Sequence, residues 1–196
     1  MVPRQRGERA DFSLVTPHLV SVTWVALLRG INVGRAKRIT MADLRTMLDS
    51  LGYTDVRTLG QSGNAIFVSA ERRPESLEEA ISTRIRGAAG MEVSVLVRTA
   101  PDFASAVNAN PFVPRGIPSS ELHVAFLSAE PARARVAGID REASLPDEFA
   151  FGKRVIYERL CNGVIGSTLP DWERALGVRA TRRNWNTTTK LRDLVS

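Results

Sequence analysis

Three short polar segments hold the residues of this chain that could do chemistry. Each combines glycine, amide or hydroxyl groups with nearby arginine, a composition that suits an anion bound through backbone N–H groups and guanidinium donors. The candidate ligand-binding residues in these segments are Arg29, Asn32, Lys37, Gln61, Ser62, Asn64, Arg183, Asn184 and Asn186.

The first segment, residues 29–34, follows an apolar run and contains two glycines. Glycine lets backbone N–H groups approach a ligand closely, and Lys37 adds positive charge just beyond the segment. The segment is not a Walker loop, and it lacks the three-glycine spacing of dinucleotide-binding folds. A tight connection with solvated basic side chains explains the same residues, so both interpretations stay open.

The second segment, residues 60–64, offers the amides of Gln61 and Asn64 and the hydroxyl of Ser62. It does not match a nucleophile elbow, which needs a second glycine two residues after the serine. Gly63-Asn64 is also typical of a hairpin turn, so the segment is either part of a polar site or only a turn.

The third segment, residues 182–190, is expected at the start of a helix. Thr181 is predicted to cap this helix, which would run to about Leu194 and expose free N–H groups beside Arg182 and Arg183. The free N–H groups at such a helix start can bind an anion. Asparagine is unfavourable inside a helix, so we expect the side chains of Asn184 and Asn186 to form hydrogen bonds, either with a ligand or within the protein.

The sequence offers no catalytic constellation. Its one cysteine, Cys161, and its two histidines, His18 and His123, match no zinc-ligand spacing. Cys161 and His123 could form a nucleophile pair, but the following Asn162-Gly163 is typical of a tight structural turn. We therefore assign no catalytic residue, no metal and no cofactor.

Composition and charge restrict the class of protein. The chain has 196 residues, of which 43% are hydrophobic and 24% charged, and no apolar run reaches the length of a membrane helix. One cysteine and the absence of a signal-peptide pattern predict a cytoplasmic protein without a membrane partner. The net charge is +6, and most of it lies from Arg174 onward. A localised anionic partner is therefore favoured over general nucleic-acid binding.

The order of predicted elements indicates an α+β fold. Between residues 21 and 98 the pattern is strand, helix, strand, strand, helix, strand, which is typical of a ferredoxin-like βαββαβ lobe. Thr40, with Asp43, is predicted to cap the first helix, and Pro74 to begin the second. We expect a disordered tail over residues 1–20, this first lobe over 21–100, and a second, related α+β lobe with a C-terminal helix over 101–196.

The same segments carry a family resemblance. Arg29-Gly30-Ile31-Asn32-Val33-Gly34 with Met41-Ala42-Asp43-Leu44-Arg45, then Gln61-Ser62-Gly63-Asn64 and Arg183-Asn184-Trp185-Asn186-Thr187, make the chain resemble the bacterial domain of unknown function 1697 family. The resemblance covers residues 23–195 and implies a two-lobed α+β protein with ferredoxin-like character, but no activity. Relatives often have Ser-Lys where this chain has Ser167-Thr168, which weakens any basic contact at that point.

Three hypotheses about function follow from the sequence. The first is a binding module for a small anionic ligand, such as a phosphate-bearing metabolite or a nucleotide. The second is an enzyme of unknown reaction with a polar cleft between the lobes, and it requires that the three segments meet in one cleft. The third is a structural or protein-interaction domain in which the polar segments hold the lobes together. The sequence leaves the oligomeric state open.

Overall fold

The computed structural model describes residues 21–32 and 38–196. Within them the chain is a mixed α+β protein with two four-stranded antiparallel sheets. The strands of the first sheet are β1 (Val22–Arg29), β2 (Thr54–Leu59), β3 (Asn64–Ser69) and β4 (Ser94–Thr99), and those of the second are β5 (Leu122–Leu127), β6 (Glu148–Gly152), β7 (Val155–Arg159) and β8 (Ala180–Asn184). The helices are α1 (Met41–Asp49), α2 (Pro74–Ala89), α3 (Ala100–Asn108), α4 (Arg133–Ala137), α5 (Trp172–Leu176) and α6 (Trp185–Val195).

The two sheets have the same strand order relative to the chain. The first runs β2-β3-β1-β4 and the second β6-β7-β5-β8, so the first strand of each sheet lies between its third and fourth strands. Every neighbouring pair is antiparallel. The second sheet thus repeats the strand order of the first.

Local signals place the helices of the first half. The Thr40 hydroxyl accepts the Asp43 N–H at 3.0 Å, so Thr40 is the N-cap of α1 as the sequence predicts. Helix α2 begins at Pro74, as predicted. It ends at Gly90, whose φ of 64° lies in the left-handed region that glycine adopts without strain.

The prediction of a helix capped by Thr181 is wrong. Residues 180–184 form β8, which pairs with β5, and α6 begins only at Trp185. Asn184 is the true N-cap, since its Oδ1 accepts the Thr187 N–H at 2.8 Å. Side chains alternate along a strand, so Thr181 and Arg183 are both buried on the side opposite Arg182. Pairing with β5 stabilises this polar segment as a strand against its local helix-start pattern.

Each sheet has apolar residues on both faces. In the first sheet Trp24, Ala26 and Leu28 pack with α1 and α2, while Val25 and Leu27 face the other way. That second face, one face of the second sheet, and helices α3 and α6 share one apolar cluster, which we call the central core. Its buried residues are Val25, Leu27, Ile66, Leu96, Phe103, Val107, Phe112, Leu122, Val124, Phe126, Val155, Tyr157 and Leu191. The two halves therefore cover each other's apolar surface.

Candidate functional site

The segment after β1 is held by Asn32. Its Nδ2 donates to the carbonyls of Ile39 at 3.0 Å and Gln61 at 2.7 Å, and its Oδ1 accepts the Ile39 N–H at 2.9 Å. Asn32 therefore positions this segment against the turn between β2 and β3, and its amide is used by the protein itself. Its φ of 56° is left-handed, a conformation that asparagine tolerates better than most residues. Lys37, the other candidate here, lies outside the described residues.

The turn between β2 and β3 contains both buried and exposed candidates. Asn64 is 1% exposed, and its Nδ2 donates to the Leu59 carbonyl at 3.1 Å. Gly63 lies so close to β1 that an added Cβ would be 2.7 Å from the Leu28 Cβ. Gln61 and Ser62 are exposed, and their side chains have no hydrogen-bond partner among the described residues.

Arg183 joins this turn to the second sheet. Its Nε donates to Asn64 Oδ1 at 2.5 Å, and its Nη2 donates to the carbonyls of Leu28, Ser62 and Gly63 at 2.6, 3.2 and 3.3 Å. Its Nη1 donates to the carbonyl of Arg182 at 2.9 Å. Burial lowers the pKa of Arg183 to about 10. Because the protein occupies all three guanidinium nitrogens, Arg183 fastens the two sheets together.

Asn184 and Asn186 are both exposed. Asn184 caps α6 through its Oδ1, and its side chain also lines a cleft described below. The side chain of Asn186 has no hydrogen bond within residues 21–32 and 38–196 and does not line that cleft.

Six of the nine candidates line two adjoining cavities, which we call chambers. One chamber, of about 530 Å³, is lined by the candidates Arg29, Asn32, Gln61, Ser62 and Arg183. The other, of about 630 Å³, is lined by Arg29 and Asn184. The chambers share Arg29, Val164 and Arg182, and we call them together the two-chamber cleft. Asn64 lies behind its wall, held by Arg183.

A buried polar network that the sequence did not reveal forms the wall of the larger chamber. Glu158 is fully buried and accepts hydrogen bonds from Trp172 Nε1 at 2.5 Å and from Arg182 Nε and Nη2 at 2.6 and 2.8 Å. Three charge-assisted hydrogen bonds offset the cost of burying this carboxylate. Glu158 holds the Arg182 side chain in place and leaves its Nη1 without a partner among the described residues.

His123 lies beside this network. It stands opposite Glu158 on β7 and Asn184 on β8, is 8% exposed, and has a buried Nδ1 without a partner in the part of the chain that the structure describes. Burial lowers the pKa of His123, and nearby Arg182 acts in the same direction, against the opposing effect of Glu158. Alternation along β5 could have placed His123 and Ala125 on one face, but the partner strand β8 was not predicted.

Arg29 closes the cleft from the other side and forms an ion pair with Glu173. Glu173 also accepts the Ala180 N–H at 2.8 Å. Burial acts to raise the pKa of Glu173, but the hydrogen bonds from Arg29 and Ala180 leave it lower than usual. The Arg29 side chain is 47% exposed, so the pair is weakly held and Arg29 can exchange partners.

Three of the six basic residues from Arg174 onward form ion pairs within the described residues. Arg179, Arg182 and Arg192 form ion pairs with Glu78, Glu158 and Asp193. With Arg183 buried as well, the sequence cluster does not form a free basic patch.

No group of three or more His, Cys, Asp or Glu side chains within residues 21–32 and 38–196 is placed to hold a metal ion. Over the same ranges, no helix has the length and apolar character needed to span a membrane.

Comparison with known proteins concerns family and fold. The model of a family described as a protein of unknown function (DUF1697) matches residues 22–157. Among solved structures, a conserved bacterial protein from Streptococcus pneumoniae matches with a TM-score of 0.69 and 23% identity, covering 90% of this chain and 99% of that chain. At this identity the likeness concerns the fold alone. No curated protein matches the chain.

Proposed function

This chain belongs to the DUF1697 family of proteins of unknown function, so its function has to be inferred from its own residues, and we propose that the two-chamber cleft binds a small anionic ligand. The ligand class is a phosphate-bearing metabolite or a nucleotide. Each chamber is of a size that suits a small molecule.

One observation carries this proposal: Arg29 and Arg182 line both chambers, and each has at least one guanidinium nitrogen without a partner among the described residues. Arg182 uses Nε and Nη2 on Glu158, so its Nη1 is available. Arg29 contacts Glu173 through Nη1. Two guanidinium groups at one cleft suit the several oxygens of a phosphate.

The carboxylates of the cleft determine how an anion would enter. Glu158 stays with Arg182, because separating them would leave a buried charge unpaired. Glu173 is the exchangeable partner, since its ion pair with Arg29 is half-exposed. Asp171 is turned to the N–H groups of Glu173 and Arg174, which it caps. The anionic ligand therefore replaces Glu173 as the ion-pair partner of Arg29.

Binding measurements test this proposal. Calorimetry at low salt with inorganic phosphate, AMP and ATP should give binding that Arg29→Gln weakens at least about tenfold. Arg86→Gln is the matched control, because Arg86 is an exposed, ion-paired arginine on α2 outside the cleft. Absence of binding for all three anions, or equal binding by the Arg29 variant, would contradict the proposal.

Catalysis is the second candidate function, and the position of His123 favours it. His123 lines the larger chamber and burial lowers its pKa, so its neutral imidazole could serve as a general base near neutral pH. Five of the nine candidates line a single chamber, namely Arg29, Asn32, Gln61, Ser62 and Arg183. A panel of phosphate-ester and carboxylic-ester substrates, with His123→Asn as the inactive control, tests this reading. No turnover of any substrate would count against it.

The structural reading is supported by Arg183 and Asn64, which link the sheets, but not by Asn184 and Asn186, which are exposed. Nucleic acid remains the less favoured partner. RNA binding on an open sheet needs exposed aromatics, whereas Trp24 and Phe67 are 2% and 0% exposed.

We also propose that the first lobe, residues 21–100, has ferredoxin-like topology and that residues 101–196 form a related second lobe. The support is the strand order shared by the two sheets and the helices between their strands. A cytoplasmic location is likewise a proposal, supported by the single cysteine.

A further inference from the structure

A second cavity, of about 520 Å³, lies between the β4–α3 junction and the turn that joins β6 to β7. We call it the Arg98 cavity. Its charged lining residues are Arg98, Lys153, Arg154 and Asp102. It shares no lining residue with the two-chamber cleft. Three cations face one carboxylate here, so the cavity wall is positively charged.

Arg98 is buried without a carboxylate partner in the described part of the chain. It is 6% exposed, and it donates through Nη1 to the Val97 carbonyl at 2.8 Å and through Nη2 to the Leu127 carbonyl. Carbonyl oxygens satisfy donors but do not neutralise a charge. Buried arginine is rare unless it is paired, so this arrangement leaves positive charge uncompensated.

Arg154 adds a second guanidinium close to the first. Its backbone is left-handed, with φ of 54°, which costs energy in a residue other than glycine. Its Nη2 donates to the Ser128 carbonyl at 2.5 Å, and its backbone N–H donates to Glu130 at 3.0 Å. Its Nε is buried and has no partner among the described residues. An unused buried donor is costly, and a small movement of the Arg154 side chain toward the cavity would let a ligand oxygen accept from it.

The two guanidinium groups repel each other. Burial, followed by the charge of Arg154, lowers the pKa of Arg98 to about 10, while Glu78 and Asp102 act weakly in the opposite direction. A dianion between them would replace this repulsion with attraction on both sides.

We propose that the Arg98 cavity binds a small phosphate-bearing anion through Arg98, Arg154 and Lys153. The guanidinium groups of Arg98 and Arg154 supply fixed positive charge in the wall, and exposed Lys153 adds a mobile charge at the mouth. Tyr157 is part of the wall only, because its hydroxyl already donates to the Ala106 carbonyl at 2.7 Å. The cavity volume suits a phosphate with a small organic group.

Calorimetry and NMR of the full chain test this site. Inorganic phosphate and AMP should bind at low salt, and adenosine, which lacks phosphate, should not. Lys153→Gln and Arg154→Gln should each weaken this binding at least about tenfold. Lys153 is exposed, so its variant keeps the test valid if Arg154→Gln fails to fold. Arg133→Gln, at an exposed position on α4, is the matched control.

The design separates this site from the two-chamber cleft. Phosphate should shift the backbone amide resonances of Lys153 and Arg154 in the wild-type chain and in Arg29→Gln alike. If the two-chamber cleft binds no phosphate, these chemical-shift changes persist and calorimetry gives one phosphate bound per chain. Phosphate binding that is unchanged in both Lys153→Gln and Arg154→Gln, or no phosphate binding by the wild-type chain, would overturn the proposal.

Discussion

The guanidinium of Arg183 donates its Nε–H to Oδ1 of Asn64 at 2.5 Å, and the two residues are 119 positions apart in the chain. Arg183 is 9% exposed and Asn64 is 1% exposed, so water does not replace this hydrogen bond. The same guanidinium holds three backbone carbonyls of the first half of the chain. A single side chain of β8 therefore donates hydrogen bonds to backbone carbonyls at the end of β1 and in the turn before β3.

Replacing Arg183 should destabilise the protein strongly. Arg183→Met keeps much of the side-chain volume but leaves the Leu28 carbonyl and the Asn64 Oδ1 without their donor. Each unsatisfied buried group costs about 1–3 kcal/mol, so we expect the free energy of unfolding to fall by about 3 kcal/mol. Urea unfolding measures this change. Arg86→Met, at an exposed ion pair, should stay within about 0.5 kcal/mol of wild type, and an equal loss in both variants would contradict the argument.

The contribution of the Arg183–Asn64 pair can be isolated. In a double-mutant cycle with Arg183→Met and Asn64→Ala, the two losses should be non-additive by about 1–3 kcal/mol, because each residue satisfies the other. Urea denaturation of the four proteins gives the coupling. A cycle of Arg183→Met with Asn108→Ala, on α3, serves as the control and should be additive. Additivity in the first cycle would mean that the hydrogen bond contributes little.

Gly63 should tolerate alanine less well than Gly60. Both glycines have positive φ, at 75° and 64°, so both variants carry backbone strain of about 1 kcal/mol. Only at Gly63 does an added Cβ also collide, at 2.8 Å from the Ile31 Cδ1, whereas at Gly60 nothing lies within 4 Å. Gly63→Ala should therefore lose about 1–3 kcal/mol more than Gly60→Ala. Thermal unfolding of both variants checks this difference, which should vanish if the turn can move away from β1.

Glu158→Gln should weaken the wall of the two-chamber cleft. The variant leaves the Arg182 guanidinium without its carboxylate partner, and removal of one partner of a buried pair costs about 3–5 kcal/mol. Arg182 and Glu158 lie largely within the protein, so added salt should not reproduce the loss. Urea unfolding at low and high salt measures it. The control is Glu92→Gln, at an exposed ion pair, and a similar small effect in both variants would argue against a tightly held network.

His123 should make the free energy of unfolding depend on pH below about pH 6.5. Burial lowers its pKa in the folded state, so the unfolded chain takes up a proton first as the pH falls. The free energy of unfolding is therefore highest above pH 6.5. It falls as the pH drops toward the pKa of His123 in the folded state, by at most about 1.4 kcal/mol per pH unit. Urea unfolding at three pH values gives the slope. His123→Asn should flatten it, and the same slope in the variant would assign the effect to other groups.

Local sequence signals were sufficient for much of the fold. Helix α1 was predicted because Thr40 and Asp43 form a cap within four residues, and α2 because Pro74 begins an amphipathic stretch that a glycine ends. These features depend on neighbours in sequence. Strand β8 was missed because Arg182, Arg183 and Asn184 resemble a helix start, and only the distant strand β5 stabilises them as a strand.

The candidate site was predictable only in outline. The three segments do meet, but the sequence could not separate the residues that hold the cleft, such as Asn32 and Arg183, from those that face into it. His123 and Glu158 lie 35 positions apart and become neighbours only through the register of β5 and β7. Arg98 lies 56 positions before Arg154 in the sequence, so no spacing pattern marks their cavity.

Because both halves of the chain contribute to the central core, each half covers apolar residues of the other. Val25 and Leu27 come from the first half, Phe126 and Leu191 from the second, and neither set is covered without the other. The connection through residues 118–120 is exposed. A backbone cut there would yield two fragments, each with the apolar face that the other half covers in the intact chain. This protein is thus suited to fragment complementation, in which reassembly reports the proximity of two fused partners.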